Sequence, residues 1–427
     1  MTGLTIVHFT NSWKPMKGGV PVSVDLYTDY LRRRGHRVFV VAPEYEEAKE
    51  DPPWVFRVPA IKNFRGSAFS VPYPQHLNFK LLGGIERLNP HVIHVHHPFL
   101  LGEVGLRIAR RMGIPCVFTY HTLYHKYTHY LLEGSDALKK IAVFVSVFFA
   151  SLCDRVIAPS ESVRQFLLTE GVRAPVTVLP TGIEDERVVS RRLLPSEGEA
   201  FRLVYSGRLE PEKNLEFLFR AVALFLRAKG DAELIVVGDG RLRREVEKLA
   251  GKLRVRERVK FVGEVEREEL FLLLDRCHLF VFASKTETQG LVVLEAMARG
   301  LPVVCLPGPG VVDVVRNGVN GLLPEEREES FAESLRVVAE HPEIWARLSR
   351  GAILTARKHR MGSLVRKLES LYKEVISGRE RKRSHSSRIR EKFEQFFPRP
   401  LRGGKEKKAI FKWVRRETLP GERWRWG

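Results

Sequence analysis

The strongest constraint on the fold is a regular alternation of short apolar runs with helical patterns, which the chain repeats in two series. Such alternation is typical of βαβ units, which build parallel sheets. The first series predicts strands at Thr5 to Phe9, Arg37 to Val41, Val92 to Val95, Cys116 to Tyr120, Arg155 to Ala158 and Val176 to Leu179. The second predicts strands at Arg202 to Tyr205, Glu233 to Val237, Val259 to Val262, Leu279 to Phe282 and Pro302 to Leu306. The polar stretch between the two series, from Thr181 to Glu199, is expected to be a linker.

The length of 427 residues is enough for two doubly wound α/β domains, each with its own core. The four cysteines lie far apart without a C-x-x-C pair, which indicates buried thiols in a reducing compartment. The chain begins without a basic segment followed by a cleavable apolar one, and its longest apolar run is shorter than the ~20 residues that span a bilayer. We therefore expect a cytoplasmic protein without a transmembrane segment.

Positive charge is concentrated at the end of the chain. The formal net charge is +20, and residues 379–427 contribute 17 Lys and Arg against 6 Asp and Glu, a net +11. Aromatic residues stand among these cations: Phe393, Phe396, Phe397, Phe411, Trp413, Trp424 and Trp426. This basic tail suits an anionic membrane surface or a single-stranded nucleic acid, unless it is a solvated tail without a specific partner.

Two carboxylates, Glu287 and Glu295, lie eight positions apart in the most informative stretch, from Phe282 to Arg299. Glu287 is predicted to lie in a loop after a strand, and Glu295 in a helix that begins near Gly290. A helix N-terminus directs unpaired N–H groups into the loop, which suits a phosphate. The stretch therefore predicts a ligand that carries both phosphates and hydroxyls.

A second charged loop follows the first strand of the second series. It contains two cations, Arg208 and Lys213, which could hold a diphosphate from two sides. The alternative is a solvated loop whose charges pair with Glu210 and Glu212.

Glycine turns follow other strands. Gly18 and Gly19 stand before the first helix, where small residues allow a backbone to approach a phosphate, although the pair could serve the turn alone. The backbone from Gly263 to Val265 is placed to contact a nucleotide base, whereas Gly238-Asp239-Gly240 is a further turn at such a strand end.

Histidines cluster near two strand ends of the first series. His121 ends a strand at the expected cleft, where it could be structural or functional. His94, His96 and His97 have metal-like spacing, but no carboxylate or cysteine set completes a site, so we expect no metal. The apolar run from Ile141 to Leu152, preceded by Lys139 and Lys140, is either a core helix or an interfacial segment at a bilayer.

Together these motifs resemble the retaining GT-B glycosyltransferases of family 4. The matching residues, in order over roughly Ile6 to Ile376, are Gly18-Gly19, His121, Ser206-Gly207-Arg208-Leu209 with Lys213, Gly238-Asp239-Gly240, and Glu287 to Val304. The resemblance implies two facing Rossmann-like domains: an acceptor domain at residues 1–185, completed by helices near 357–377, and a donor domain at 190–356. The tail at 378–427 lies outside it.

The resemblance also implies a role for each matching residue. Arg208 and Lys213 would hold the diphosphate of a nucleotide-sugar donor, and Glu295 the ribose hydroxyls. Gly18 and Gly19 would let the first helix face the phosphates. The remaining donor-binding group comprises Gly263 and Val265 at the base, and Glu287 with the backbone of Thr288, Gln289, Gly290 and Leu291 at the sugar, with His121 beside it.

The implied catalytic set is His121, Glu287, Arg208 and Lys213, with no cofactor, no metal and no covalent nucleophile. His94 to Gly102, His121 to Tyr130 and Gln289 look like diacylglycerol glucosyltransferases, whereas Asp313 stands where Glu is commoner. We therefore expect transfer of a hexose, glucose from UDP-glucose, to a membrane lipid such as 1,2-diacylglycerol by a peripheral protein of the inner membrane face. A phosphoinositide, polyprenyl or soluble sugar acceptor, or a nucleic-acid-binding protein on a degenerate GT-B scaffold, are the alternatives.

Overall fold

The computed structural model describes residues 3–46, 51–62, 70–72, 80–126, 136–193 and 199–382. The chain divides into a compact unit of residues 1–376 and a second unit of residues 377–427. The first unit contains both sheets. The basic tail expected at 378–427 lies outside the described residues beyond Lys382, as do residues 127–130 of the stretch from His121 to Tyr130.

The first sheet has seven parallel strands in the order β3-β2-β1-β6-β7-β8-β9. These strands are β1 (Thr5–Phe9), β2 (Arg37–Pro43), β3 (Val55–Val58), β6 (Val92–Val95), β7 (Cys116–Thr119), β8 (Arg155–Ala158) and β9 (Val176–Val178). A small antiparallel pair, β4 (Ala60–Ile61) and β5 (Val71–Pro72), lies outside this sheet.

The second sheet has six parallel strands in the order β12-β11-β10-β13-β14-β15. They are β10 (Phe201–Ser206), β11 (Ala232–Val237), β12 (Val259–Gly263), β13 (Leu279–Phe282), β14 (Val303–Cys305) and β15 (Gly321–Leu322). All eleven predicted strands are present, and the expected pair of doubly wound parallel sheets is confirmed. Two strands of these parallel sheets, β3 and β15, are not among the predicted ones.

Helices connect the strands of both sheets. Those of the first series are α1 (Gly19–Arg33), α2 (Lys80–Leu88), α3 (Leu101–Met112), α4 (Asp136–Leu152) and α5 (Glu161–Thr169). The second series contains α6 (Leu215–Ala228), α7 (Arg243–Lys252), α8 (Arg267–Asp275), α9 (Leu291–Ala298), α10 (Val311–Val314), α11 (Glu328–Glu340), α12 (Pro342–Lys358) and α13 (Met361–Lys382). None of the helices in the described part of the chain has the length and apolar character that crossing a bilayer requires.

The central strands are buried along their whole length because helices cover both faces of each sheet, and they are apolar apart from Thr5, His8, His94 and Thr119. Every residue of β1, β6, β7 and β13 is buried. In the second sheet, the buried indole of Trp345 donates a hydrogen bond to the carbonyl of His278 at 2.8 Å, so α12 is fixed beside the start of β13. Because the strands themselves are buried, the loops at their ends are the parts of each sheet that can contact a ligand.

The chain passes between the two sheets twice, and the two passages are hydrogen-bonded to each other. Ile183, after β9, forms a parallel bridge with Arg360, between α12 and α13. Helix α13 then packs on the first sheet, where its buried residue Tyr372 lies 2.7 Å from His94 through its hydroxyl oxygen. The last described helix therefore completes the core of the first sheet.

Candidate active site

Loops at the carboxyl ends of strands carry the predicted site residues of the second domain. Arg208 and Lys213 follow β10, Gly263 ends β12, and Glu287 lies between β13 and α9. Because β10 is adjacent to both β11 and β13, these loops share one edge of the sheet. Parallel topology therefore assembles the cluster that the sequence predicts.

The loops after β10 and β11 are in direct backbone contact, and Gly238 makes that contact possible. Its φ is +124°, and a Cβ there would lie 2.1 Å from the carbonyl oxygen of Gly207. Its N–H donates to the carbonyl of Gly263 at 2.7 Å. Gly238 therefore sets the spacing between the Arg208 loop and the turn predicted to contact the base.

Lys213 and Glu287 form an ion pair that joins two of the predicted site loops. The Lys213 ammonium lies 2.5 Å from Glu287 Oε1, with side chains 12% and 17% exposed. Burial alone would raise the pKa of Glu287, but the Lys213 charge and hydrogen bonds from Lys213 and Ser284 lower it below its ordinary value. Glu287 is therefore an ionised acceptor beside the cation predicted to hold a diphosphate.

Arg208 extends the same group of charges. It donates to Glu212 Oε1 at 2.8 Å, and its side chain is 39% exposed. Glu210, in turn, pairs with Arg241 at 2.8 Å. Pairing within the loop, the alternative given above, therefore holds for Arg208 and Glu212. Lys213 instead pairs with Glu287 in the loop after β13.

The Glu287 loop contacts the first domain at His121. Thr288 Oγ1 donates a hydrogen bond to the carbonyl oxygen of His121 at 2.8 Å. His121 follows β7 and is partly exposed, so its ring lies at the meeting point of the two domains. Two groups that the sequence assigned to the transferred sugar are thus brought together from opposite domains.

Gln289 contacts the linker with its side chain. Its Oε1 accepts from the N–H of Thr181 at 2.7 Å, and its Nε2 donates to the carbonyl of Thr181 at 2.6 Å. The donor-site prediction for Gln289 therefore concerns its backbone alone. Gly290 follows with a φ of +76° as the N-cap of α9, and Leu291 is the first helical residue.

Glu295, predicted to bind ribose, lies in a charged group that the sequence reading did not foresee. Its carboxylate bonds Arg267, whose guanidinium also holds Glu184 through two hydrogen bonds of 2.9 Å. Burial raises the pKa of Glu295 despite Arg267, whereas Arg267, which burial alone would make less basic, has a raised pKa because of Glu295 and Glu184. The carboxylate predicted to bind ribose is therefore already paired with Arg267.

The two predicted backbone sites at the cleft mouth are linked by Lys17. This residue precedes Gly18, whose φ is +148°, and Gly19, the first residue of α1. The Lys17 ammonium donates to the carbonyl of Val265 at 3.2 Å and pairs with Glu266 at 3.2 Å. The glycine turn of the first domain therefore lies opposite the turn at Gly263 to Val265.

Buried histidines lie behind His121. His121 Nε2 is 2.9 Å from His96 Nδ1, and His96 Nε2 is 2.8 Å from His8 Nδ1. His94 lies beside them and contacts Tyr372 Oη and Thr119 Oγ1, each at 2.7 Å. The cluster therefore extends from the cleft into the first sheet.

His8 supplies the third imidazole that the sequence reading did not find beside His94 and His96. Ligand atoms of these three residues lie within 4.8 Å of one another, a spacing that a metal ion could bridge. However, both ring nitrogens of His94 already take part in hydrogen bonds, and the group contains no anionic ligand. The donor set therefore fits a hydrogen-bonded cluster better than a metal site.

Sequence reasoning missed His8, Lys17, Arg267 and Glu184. Arg267 has no motif, and the carboxylates that it joins are 83 and 28 positions away along the chain. Lys17 stood next to a recognised glycine pair, and His8 lay in a predicted strand adjacent to that of His94. For His8, the adjacency of β1 and β6 would have supplied the signal.

The first test of this geometry replaces Lys213. We expect Lys213→Gln to lower kcat/KM for sugar transfer by roughly 100-fold, because charge developing on a leaving diphosphate loses its cation. The matched control is Lys285→Gln in the neighbouring Glu287 loop, where the ammonium is 47% exposed and pairs with Glu326. Steady-state kinetics of both variants, with thermal melts to verify folding, measure the difference. Equal losses in the two variants would contradict a specific role for Lys213.

Family models match both halves of the chain. The model "Glycosyltransferase Family 4" matches residues 17–187, and "Glycosyl transferases group 1" matches residues 189–355. The Acholeplasma laidlawii alpha-monoglucosyldiacylglycerol synthase is 27% identical over 398 residues, which covers 88% of this chain and 98% of that one. The Streptococcus pneumoniae protein of the same name is 30% identical over 329 residues, 74% of each chain.

Among solved structures, Anabaena HepE in complex with UDP matches with a TM-score of 0.67 at 20% identity, covering 87% of this chain and all of that one. At this identity the match supports the fold. The sequence relatives and the two family models extend the conclusion to the class of enzyme. The chain therefore belongs to the family 4, group 1 glycosyltransferases of the GT-B fold.

Proposed function

We propose that this enzyme transfers glucose from UDP-glucose to 1,2-diacylglycerol with retention of the anomeric configuration. The observation that carries the proposal is the alignment to an alpha-monoglucosyldiacylglycerol synthase over 98% of the length of that protein. HepE, a solved protein of similar fold, binds UDP, which favours the same nucleotide here. The site residues that would perform this chemistry are those of the cleft.

In this proposal, Arg208 and Lys213 hold the diphosphate. When the bond between the anomeric carbon and the phosphate oxygen breaks, negative charge grows on the leaving diphosphate, and the two cations stabilise it. The N-terminus of α9, at Gly290, adds N–H groups on the same side. No metal cofactor is proposed, because these groups supply the positive charge that the leaving group needs.

Glu287 and the loop after it would contact the sugar. Glu287 is ionised beside Lys213, so it can accept hydrogen bonds from sugar hydroxyls and stabilise developing positive charge on the ring. His121 would lie on the other side of the sugar, since its carbonyl already contacts Thr288. The acceptor oxygen then bonds to the anomeric carbon on the face from which the diphosphate departs, and the hydroxyl proton passes to the departing phosphate oxygen, so no covalent nucleophile is assigned.

The exposed apolar face of helix α4 favours a lipid as the acceptor. Ile141, Phe144 and Val145 are 57%, 50% and 42% exposed and share one face of the helix by their spacing. Lys139 and Lys140 are also exposed, one turn before that face, whereas Phe149 is buried against the sheet. An apolar face beside cations suits an anionic bilayer, so we propose peripheral association with the inner membrane face.

A hydrogen bond ties this helix to the site. Tyr120, the residue before His121, lies 2.9 Å from Ser146 of α4 through its hydroxyl. A helix held at the membrane would therefore keep the His121 edge of the cleft near the lipid headgroups. The basic tail is proposed as a second membrane contact from its composition alone.

The decisive experiment incubates the full chain with radiolabelled sugar nucleotides and vesicles that contain diacylglycerol. We expect UDP-glucose to give labelled α-glucosyldiacylglycerol, with activity retained in EDTA. Vesicles with a phosphoinositide or polyprenyl phosphate, and soluble sugars, serve as competing acceptors in the same assay. A labelled product on one of these acceptors, with none on diacylglycerol, would replace the proposed acceptor.

The two carboxylates should differ in what they recognise. We expect Glu295→Gln to weaken binding of UDP and of every UDP-sugar, because it removes a ribose acceptor beside Arg267. Glu287→Gln should instead change the ratio of kcat/KM between UDP-glucose and UDP-galactose while leaving UDP affinity close to wild type. Calorimetry with UDP and kinetics with both sugars separate the two, and equal weakening of UDP would argue against this division.

The exposed face of α4 has its own test. The double variant Ile141→Ser with Phe144→Ser should bind anionic vesicles more weakly, since less apolar surface enters the interface. The control is Leu272→Ser with Leu354→Ser, two side chains that are 62% and 55% exposed on other helices. Vesicle sedimentation compares the two proteins, and equal binding by both would remove α4 from the membrane contact.

A further inference from the structure

Three imidazoles from adjacent strands form one continuous chain of hydrogen bonds that ends in the cleft. His8 lies in β1, His96 follows β6 and His121 follows β7, and these strands are neighbours in the sheet. The nitrogen-to-nitrogen distances are 2.8 Å from His8 to His96 and 2.9 Å from His96 to His121. Nδ1 of His121 is the one nitrogen on the cleft side that these two bonds leave unused.

The three rings are neutral at physiological pH. Burial lowers the pKa of His8 and of His121 to about 3 each, and burial together with neighbouring histidines holds the pKa of His96 well below its usual value. A neutral imidazole has one N–H donor and one accepting nitrogen. Because His96 can donate only once, both hydrogen bonds of the chain must run in the same direction.

The inner end of the chain decides that direction. Nε2 of His8 is buried and has no hydrogen-bond partner among the described residues. If His121 donated inward, the last proton would reside on this nitrogen as a buried, unpaired N–H, a group that folded proteins rarely contain. If His8 donates outward from Nδ1, its Nε2 keeps a lone pair without a donor, which buried sites tolerate more often than an unpaired N–H, and His121 carries its proton on Nδ1.

We propose that His8 and His96 are positioning residues that fix His121 as the Nδ1–H tautomer, so that its ring donates a hydrogen bond into the cleft. The proposal rests on the proposed function for the identity of the accepting group, which would be an oxygen of the bound donor sugar. A donor fixed in advance suits oxygen atoms that must be held while the glycosidic bond is remade. A ring free to change tautomer would present an acceptor part of the time.

His94 is the matched control within the same cluster. Its ring stacks on His96 with centroids 4.3 Å apart, yet its nitrogens face Tyr372 and Thr119. They take no part in the hydrogen-bonded path from His8 through His96 to His121, the histidine relay. Its removal disturbs the same packing without breaking the path from His8 to His121. Effects on packing and effects on the tautomer can therefore be told apart.

The direct test is nuclear magnetic resonance of the full chain labelled with ¹⁵N-histidine. Two-bond nitrogen–proton correlations distinguish the two neutral tautomers, and loss of one set of signals in His121→Ala assigns His121. We expect His121 as Nδ1–H in the wild type and in His94→Leu, with a loss of this preference in His96→Leu. A wild-type His121 protonated on Nε2 would overturn the proposal.

Kinetics supply a second readout. His96→Leu should lower kcat by about tenfold or more while KM for UDP-glucose stays unchanged, because a transition-state hydrogen bond is weakened. His96→Asn places an amide near the position of Nδ1 and should restore part of the rate. Wild-type kcat in His96→Leu, or equal rates in the folded Leu and Asn variants, would refute the relay.

These outcomes are separable from failure of the proposed function. The tautomer of His121 is read in the protein without substrate, so it stands whichever sugar or acceptor the enzyme uses. Conversely, transfer of glucose to diacylglycerol by an enzyme whose His121 is the Nε2–H tautomer would support the function and reject the relay.

Discussion

The structure depends on the contact between the two passages of the chain that connect the sheets. The N–H of Ile183 donates to the carbonyl of His359 at 2.9 Å, and the N–H of Met361 donates to the carbonyl of Ile183 at 2.8 Å. A Cβ on Gly182 would lie 2.6 Å from the carbonyl oxygen of His359, so glycine permits this approach. Two backbone hydrogen bonds therefore hold the two connecting segments together. We expect a movement of one domain relative to the other to pivot close to this contact.

The linker is also held from each side by residues next to the site. Gln289 grips both backbone groups of Thr181 from the loop of the second domain, and the Thr181 hydroxyl lies 2.7 Å from Ser23 of α1. Tyr27, also on α1, donates to the carbonyl of Pro180 at 2.6 Å. Helix α1, which follows the glycine turn, and the Glu287 loop, which precedes α9, are thus both hydrogen-bonded to the same short segment, Pro180 and Thr181. Closure of the cleft would move both about Thr181, which the Gln289 side chain holds.

The fold was readable from the sequence because strands buried on both faces leave uninterrupted apolar runs. The two missed strands lack that signal: β15 has two residues, one of them Gly321, and β3 lies at the sheet edge with three of its four residues only partly buried. The clustering of Arg208, Lys213 and Glu287 at one sheet edge was predictable because each follows a strand. Arg267 and the partner of Gln289 were not, because their contacts join segments that no local pattern relates.

Glu287 and Glu295 show why the sequence alone could not predict the direction in which the pKa of a carboxyl group is shifted. Glu295 is buried and Glu287 is mostly so, and each forms an ion pair with one cation, yet the pKa of Glu287 is lowered and that of Glu295 is raised. Glu287 has Lys213, Arg208 and the Ser284 hydroxyl around it, whereas Glu295 shares Arg267 with a second carboxylate, Glu184. A diphosphate arriving at Lys213 would compete with Glu287 for that ammonium and direct an already ionised carboxylate towards the sugar. At Glu295, a ribose would instead meet a carboxylate whose cation is divided between two partners.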